Sequence, residues 1–171
     1  ELDKFIERYI TAPECFEAID LRNNLAFNEA KKLNTHQAYL QFIEKYPLAK
    51  EISEAQDHYA SSFFQASTKN NTIEEFEKFI KQEPKSPFIS DAENSIFTIS
   101  TVNGTISEYH HFIKKYPGNH NVETAWHKIY SIYTRDYKTA TLLRFKKDFP
   151  NYPFTDIDQD IQLSKKELLA V

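Results

Sequence analysis

Hydrophobic residues along the chain follow one pattern that recurs five times. Each copy begins with a phenylalanine. The residue four positions later is Tyr, Glu or Phe, and in four of the copies a proline follows it. The leading phenylalanines are separated by steps of 37, 37, 33 and 33 positions. Self-similarity at such a period predicts an array of structural repeats. The five residues are Phe5, Phe42, Phe79, Phe112 and Phe145.

The segment around each phenylalanine is predicted to be an amphipathic helix, because its apolar residues recur at spacings of three and four. Thr72-x-x-Glu75 and Thr105-x-x-Glu108 match the capping box that marks a helix start. The proline after each phrase is expected to end the helix, because the residue before a proline avoids the helical conformation. Turn-forming residues precede three of the starts, namely Asn34, Asn71 and Gly104.

A second helix is predicted after each proline, where alanine recurs eight positions on, at Ala55, Ala92 and Ala125. Shortening the repeat from 37 to 33 residues removes about one helical turn, so the second helix can keep its buried face. We therefore expect an all-α fold, with one repeat domain over residues 1–171 built from five helix-turn-helix units. The predicted units are approximately 1–34, 35–71, 72–104, 105–137 and 138–171.

The join between the two helices resembles that of tetratricopeptide-like repeats in bacterial cell-envelope proteins. The closest matches are Pro84-Lys85-Ser86-Pro87-Phe88 leading to Ala92, and Pro150-Asn151-Tyr152-Pro153-Phe154. Examples of the family are the outer-membrane assembly lipoprotein and the periplasmic coordinator of the Tol–Pal system. The resemblance implies a right-handed solenoid that acts as a protein-binding scaffold in the periplasm, with the cytoplasm as the alternative. The chain departs from the family in its period and in lacking the glycine of the first helix.

Composition narrows the functional classes. The net charge of −4 argues against nucleic acid as the partner, since binding to phosphates favours a basic surface. Cys15 is the only cysteine, so an internal disulfide is impossible, and we expect this side chain to be buried. No apolar run is long enough to span a membrane. Because the sequence begins at Glu1 and contains no methionine, we expect it to be a segment of a longer protein.

One stretch near the C-terminus partly matches a calcium-binding loop, through Asp156, Asp158, Asp160, Ser164 and Glu167. Ile161 occupies the position where that loop needs glycine, which favours an acidic helix start capped by Thr155 instead. The six histidines lack the spacing of a metalloprotease site, and no nucleophile elbow or phosphate-binding loop is present. We therefore predict no metal, no cofactor and no enzymatic activity.

Aligning the units places exposed charges at equivalent positions of the first helices. Glu7 and Glu44 are acidic in the first two units, and lysines occupy the same position in the other three. These charges could simply complement the helix dipole, or they could form a stripe that binds a partner. The candidate binding residues are Lys78, Lys81, His111, Lys114, Arg144 and Lys147.

The function predicted from the sequence is a protein–protein interaction scaffold whose partner is a protein or peptide with an acidic segment. The alternative is a structural or anchoring segment of a larger cell-envelope protein whose activity lies in other domains. A peptidoglycan-binding or β-repeat domain elsewhere in the protein would favour this alternative.

Overall fold

A computed structural model describes the backbone of residues 1–169 and the side chains of residues 1–166. This part of the chain contains ten helices and no β-strand, which confirms the prediction of an all-α fold. Two helices fall within each of the five intervals predicted from the sequence. The helices are α1 (Leu2–Arg8), α2 (Glu14–Leu33), α3 (His36–Lys45), α4 (Ile52–Ser67), α5 (Ile73–Gln82), α6 (Ile89–Ser100), α7 (Ile106–Lys115), α8 (Val122–Tyr133), α9 (Thr139–Asp148) and α10 (Asp156–Leu169).

The fold divides into two compact units, residues 1–92 and residues 93–171. Helices α1 to α5 belong to the first unit and α7 to α10 to the second, while α6 has residues of both. Within each unit the helices pack in chain order. In the first unit α2 packs against α1 and α3, and α4 against α3 and α5. In the second unit α8 packs against α7 and α9, and α9 against α10.

The odd-numbered helices all end in the same way. The residue before the proline position has φ between −121° and −130°, and its N–H donates to the carbonyl of the leading phenylalanine. Its own carbonyl then accepts from the N–H three residues later, at distances of 2.9–3.1 Å. In four of the five turns the second position is a proline, whose fixed φ suits this turn; α1 ends in the same way although Ile10 stands at that position. The five terminal residues are Tyr9, Tyr46, Glu83, Tyr116 and Phe149.

Four of the odd-numbered helices follow a residue with positive φ. Asn34, Asn71 and Gly104 were predicted as turn residues, and they tolerate this left-handed conformation. Tyr137 occupies the same position before α9 with φ of 52°, and the sequence did not predict a strained turn there.

The two predicted capping boxes differ. Thr105 and Glu108 form the complete reciprocal pair at the start of α7. The box predicted at Thr72 is only half formed: its side chain accepts from the N–H of Glu75, at 3.3 Å. The carboxylate of Glu75 instead accepts from the backbone and side chain of Asn70, at 2.9 and 2.6 Å.

The core of each unit contains aromatic pairs between consecutive helix pairs. Phe79, Phe112 and Phe145 are fully buried, and each meets the edge or face of an aromatic ring on the preceding even-numbered helix. The rings lie nearly perpendicular, and their centroids are 4.9–5.1 Å apart, within the favoured range for such contacts. The pairs are Phe64–Phe79 in the first unit, and Phe97–Phe112 and Tyr130–Phe145 in the second.

The first copy of the pattern departs from this arrangement. Phe5 keeps 39% of its surface exposed and α1 has no buried residue, so Phe5 shares the sequence pattern of the other leading phenylalanines but not their burial. The short α1 packs against α2. Cys15 at the start of α2 is 2% exposed, which confirms its prediction as a buried side chain.

Candidate functional site

Helix α7 ends with two adjacent lysines that differ in their surroundings. The ammonium group of Lys115 lies over the ring of Tyr116, 4.9 Å from its centroid. Lys114 is exposed and forms no ion pair with any residue whose side chain the structure describes. A cation over an aromatic ring is partly satisfied by the ring, so the two lysines differ in their contacts within the protein.

Helix α9 also has two basic residues in its last turn, Lys146 and Lys147, of which only one has an ion-pair partner among the described side chains. Lys146 donates to the carboxylate of Asp158 on α10, with an N–O distance of 2.5 Å. Lys147 is exposed and has no ion-pair partner among the described side chains. Lys114 and Lys147 are 33 residues apart and therefore occupy equivalent positions in successive repeats. The sequence placed both in the candidate stripe, and the structure leaves both ammonium groups in solvent.

The remaining candidates are also exposed. His111 on α7 and Arg144 on α9 precede these lysines by three residues, which places each pair on one side of its helix. The ring of His110 on α7 meets Phe149, the residue that follows α9, edge-on at 5.5 Å. Lys78 and Lys81 are exposed on α5, in the other compact unit. We call His111, Lys114, Arg144 and Lys147 the basic positions of α7 and α9.

His110, next to these positions, is not part of the charged surface. Burial against Trp126 and Phe149, and then the charge of Lys114, lower the pKa of His110. Its imidazole is therefore neutral at pH 7. The positive charge of α7 comes from Lys114 and Lys115, and His110 supplies ring packing. Tyr109, the residue before His110, is buried, with 8% of its surface exposed.

An aromatic cluster supports the second unit and was not predicted as a group. Tyr152, from the turn after α9, stacks on Tyr130 at 5.3 Å and meets Phe145 edge-on at 5.1 Å. Burial, followed by hydrogen bonds to Asp160 and Asp156, raises the pKa of the Tyr130 and Tyr152 hydroxyls. Both hydroxyls therefore stay protonated as donors, and the cluster is structural.

The acidic residues that partly matched a calcium loop belong to helix α10. Asp156 accepts from the hydroxyl of Tyr152, Asp158 pairs with Lys146, and Asp160 accepts from Tyr130 and Tyr137. Ser164 is buried and bonds the carbonyl of Ile161, while the side chain of Glu167 lies outside the described residues. Within residues 1–166 no three His, Cys, Asp or Glu side chains converge as metal ligands.

Comparisons with known proteins add no family assignment. No protein-family model matches the chain. A comparison with curated proteins found no significant relative.

Among the helices of the described residues, none has both the length and the apolar character required to cross a membrane.

Proposed function

We propose that the chain is a non-enzymatic scaffold of tetratricopeptide-like repeats that binds an acidic segment of another protein. The observation that carries the proposal is the contrast between neighbouring lysines on α7 and α9. In each helix one exposed lysine contacts another side chain of the protein, Tyr116 for Lys115 and Asp158 for Lys146. The lysine at the equivalent repeat position, Lys114 or Lys147, has no ion-pair partner among the described side chains.

A helix-dipole role alone does not account for this contrast. Lysines in a last helical turn stabilise the helix whichever side they face, so Lys115 and Lys146 already supply that interaction. Lys114 and Lys147 add charge at matched positions of a protein whose net charge is −4. Repeats expose equivalent positions on one face, and local positive charge on such a face favours carboxylates.

The proposed partner presents aspartate or glutamate side chains, or a free C-terminal carboxylate, to His111, Lys114, Arg144 and Lys147. The resemblance of the repeats to envelope proteins supports a periplasmic setting for this interaction. Lys78 and Lys81 on α5 lie in the other compact unit and remain candidates from the sequence, so their contribution is measured separately.

Fluorescence anisotropy of a labelled acidic peptide tests the proposal. The probe is a ten-residue Asp/Ser peptide with a free C-terminus, and the control is the same peptide with Asn in place of Asp. We expect saturable binding of the acidic probe only. Binding should weaken as salt rises, since exposed charges are screened over about 8–10 Å at physiological ionic strength. Equal binding of both peptides, or no binding of either, would contradict the proposal.

A further inference from the structure

The residue that ends each odd-numbered helix is aromatic in four repeats and acidic in one. The acidic residue is Glu83, at the end of α5, and the aromatic residues are Tyr9, Tyr46, Tyr116 and Phe149. The Glu83 side chain is half-buried, and its Oε1 accepts from the hydroxyl of Tyr59 on α4 at 3.3 Å. No Lys, Arg or His of the described residues lies within ion-pair distance of this carboxylate.

The equivalent contact in the preceding repeat contains a cation. Arg22 lies 37 residues before Tyr59, and Tyr46 lies 37 residues before Glu83. The guanidinium carbon of Arg22 lies 5.0 Å from the centroid of the Tyr46 ring, and an ion pair to Asp3 at 3.3 Å holds it there. At that junction the chain supplies a guanidinium, an aromatic ring and a carboxylate. At the Tyr59–Glu83 junction it supplies the ring and the carboxylate only.

A cleft of about 390 Å³ opens beside Tyr59 and Glu83. Tyr59 and Phe63 line this cleft, and their rings stack one helical turn apart with centroids separated by 5.7 Å. Lys85 and Pro87, from the turn after α5, also line the cleft. The volume lies within the range of small-ligand sites and would hold an arginine side chain.

We propose that this cleft binds the guanidinium group of an arginine side chain presented by another protein. The planar guanidinium stacks on aromatic faces and donates two parallel hydrogen bonds to a carboxylate. The faces of Tyr59 and Phe63 and the carboxylate of Glu83 supply both interactions. Tyr59 keeps its proton as a donor, because burial and the nearby charge of Glu83 raise the pKa of its hydroxyl.

Lys85 gives the proposal a second measurable property. Lys85 lines the same cleft and is exposed, and its ammonium lies beyond ion-pair distance of Glu83. A bound guanidinium would therefore meet a like charge, which lowers affinity. Replacing Lys85 with alanine should tighten binding of a cation, whereas the same change would weaken binding of a carboxylate. The proposal goes beyond the basic positions of α7 and α9 and is independent of them.

The test is an NMR titration of the ¹⁵N-labelled protein with arginine capped at both ends. Capped citrulline, a neutral molecule of nearly the same shape, is the matched control. We expect shift changes confined to the neighbourhood of Tyr59 and Glu83, with a Kd on the order of millimolar, and no such changes with citrulline. Glu83→Gln should weaken the arginine response at least about tenfold, since it removes a charge-assisted hydrogen bond. Lys85→Ala should strengthen the response.

Two controls keep the result interpretable. Thermal melts of Glu83→Gln should match the parent, because the glutamine oxygen still accepts from Tyr59. Glu74→Gln makes the same charge change at an exposed residue of α5 outside the cleft, and it should retain binding. Arginine shifts that are absent, spread over the whole surface, matched by citrulline, or unchanged in Glu83→Gln would overturn the proposal. Failure of acidic-peptide binding by the basic positions of α7 and α9 would leave it unaffected.

Discussion

The ring of Phe97 packs edge-on against Phe112, with centroids 5.0 Å apart and an interplanar angle of 69°. Phe97 is on α6 and Phe112 on α7, so the contact joins one predicted repeat to the next. The same geometry recurs at Phe64–Phe79 and Tyr130–Phe145. The aromatic ring of the even-numbered helix always lies 15 residues before the leading phenylalanine. These pairs give the repeats a common packing unit.

Truncating the buried partner of such a pair should be costly. Phe79 and Phe112 are fully buried, so replacing either with alanine should lower the free energy of unfolding by about 3–5 kcal/mol. Phe5 is the matched control, because it holds the same place in the pattern but is 39% exposed. Phe5→Ala should cost about 1 kcal/mol or less. Urea denaturation measures all three, and equal losses would contradict the assigned core.

The leading phenylalanines could be predicted because their spacing is directly visible in the sequence. Phe64, Phe97 and Tyr130 were not recognised as a set. Their distance from the preceding proline shortens by four residues when the period changes from 37 to 33. Counting backward from the next phenylalanine gives the constant 15. Asn34, Asn71 and Gly104 each lie eight residues before a leading phenylalanine, and Tyr137 lies eight residues before Phe145. The spacing therefore marks Tyr137 as a turn residue, although tyrosine lacks the turn signal of asparagine or glycine.

The candidate basic residues were predicted from their equivalent positions in the repeats, but the contacts that distinguish neighbouring lysines were not predicted. Lys114 and Lys115 are adjacent in sequence, and only side-chain geometry places Lys115 over Tyr116. A long, flexible side chain can pair with a residue of another helix that is not adjacent to it in the sequence, as Lys146 of α9 pairs with Asp158 of α10. The cleft at Glu83 was missed for the same reason, because Tyr59 comes from a different helix.

The capping box of α7 predicts a pH dependence of stability. Hydrogen bonds from the backbone of Thr105 and the side chain of Asn103 lower the pKa of Glu108 below its usual value of 4.5. A carboxyl whose pKa is lowered by folding contributes stability above the unfolded pKa, and the contribution is lost as the pH falls through the folded value. Glu108→Ala should therefore be less stable than the parent at pH 7, and this difference should shrink towards pH 3.

Urea melts across that pH range provide the measurement. Glu44→Ala is the control, because Glu44 is an exposed residue in the last turn of α3 and not at a helix start. Its difference from the parent should be small at pH 7. A constant difference for Glu108→Ala at all pH values would indicate that the carboxylate does not act as a cap.

Asp160 should contribute more to stability than Asp158, although both are acids near the start of α10. Asp160 accepts from Tyr130 and from the strained Tyr137, the latter at 2.5 Å. Removing the acceptor leaves the part-buried Tyr130 hydroxyl without this partner, so Asp160→Ala should cost about 1–2 kcal/mol. Asp158 makes one exposed ion pair, and Asp158→Ala should cost about 0–1 kcal/mol. Denaturant melts that give Asp158 the larger loss would contradict this order.

The most direct test of the scaffold proposal is binding of the acidic peptide by the double variant Lys114→Glu with Lys147→Glu. The matched control is Lys128→Glu with Lys165→Glu, which gives the same net charge by changing exposed lysines of α8 and α10. Lys81→Glu, measured alone, reports whether α5 contributes. We expect at least about a tenfold loss of affinity for the double variant. The control pair should lose much less affinity, and all variants should keep a cooperative thermal unfolding transition. Equal affinity of the double variant and the parent, or equal losses in both pairs, would show that these lysines do not form the binding surface.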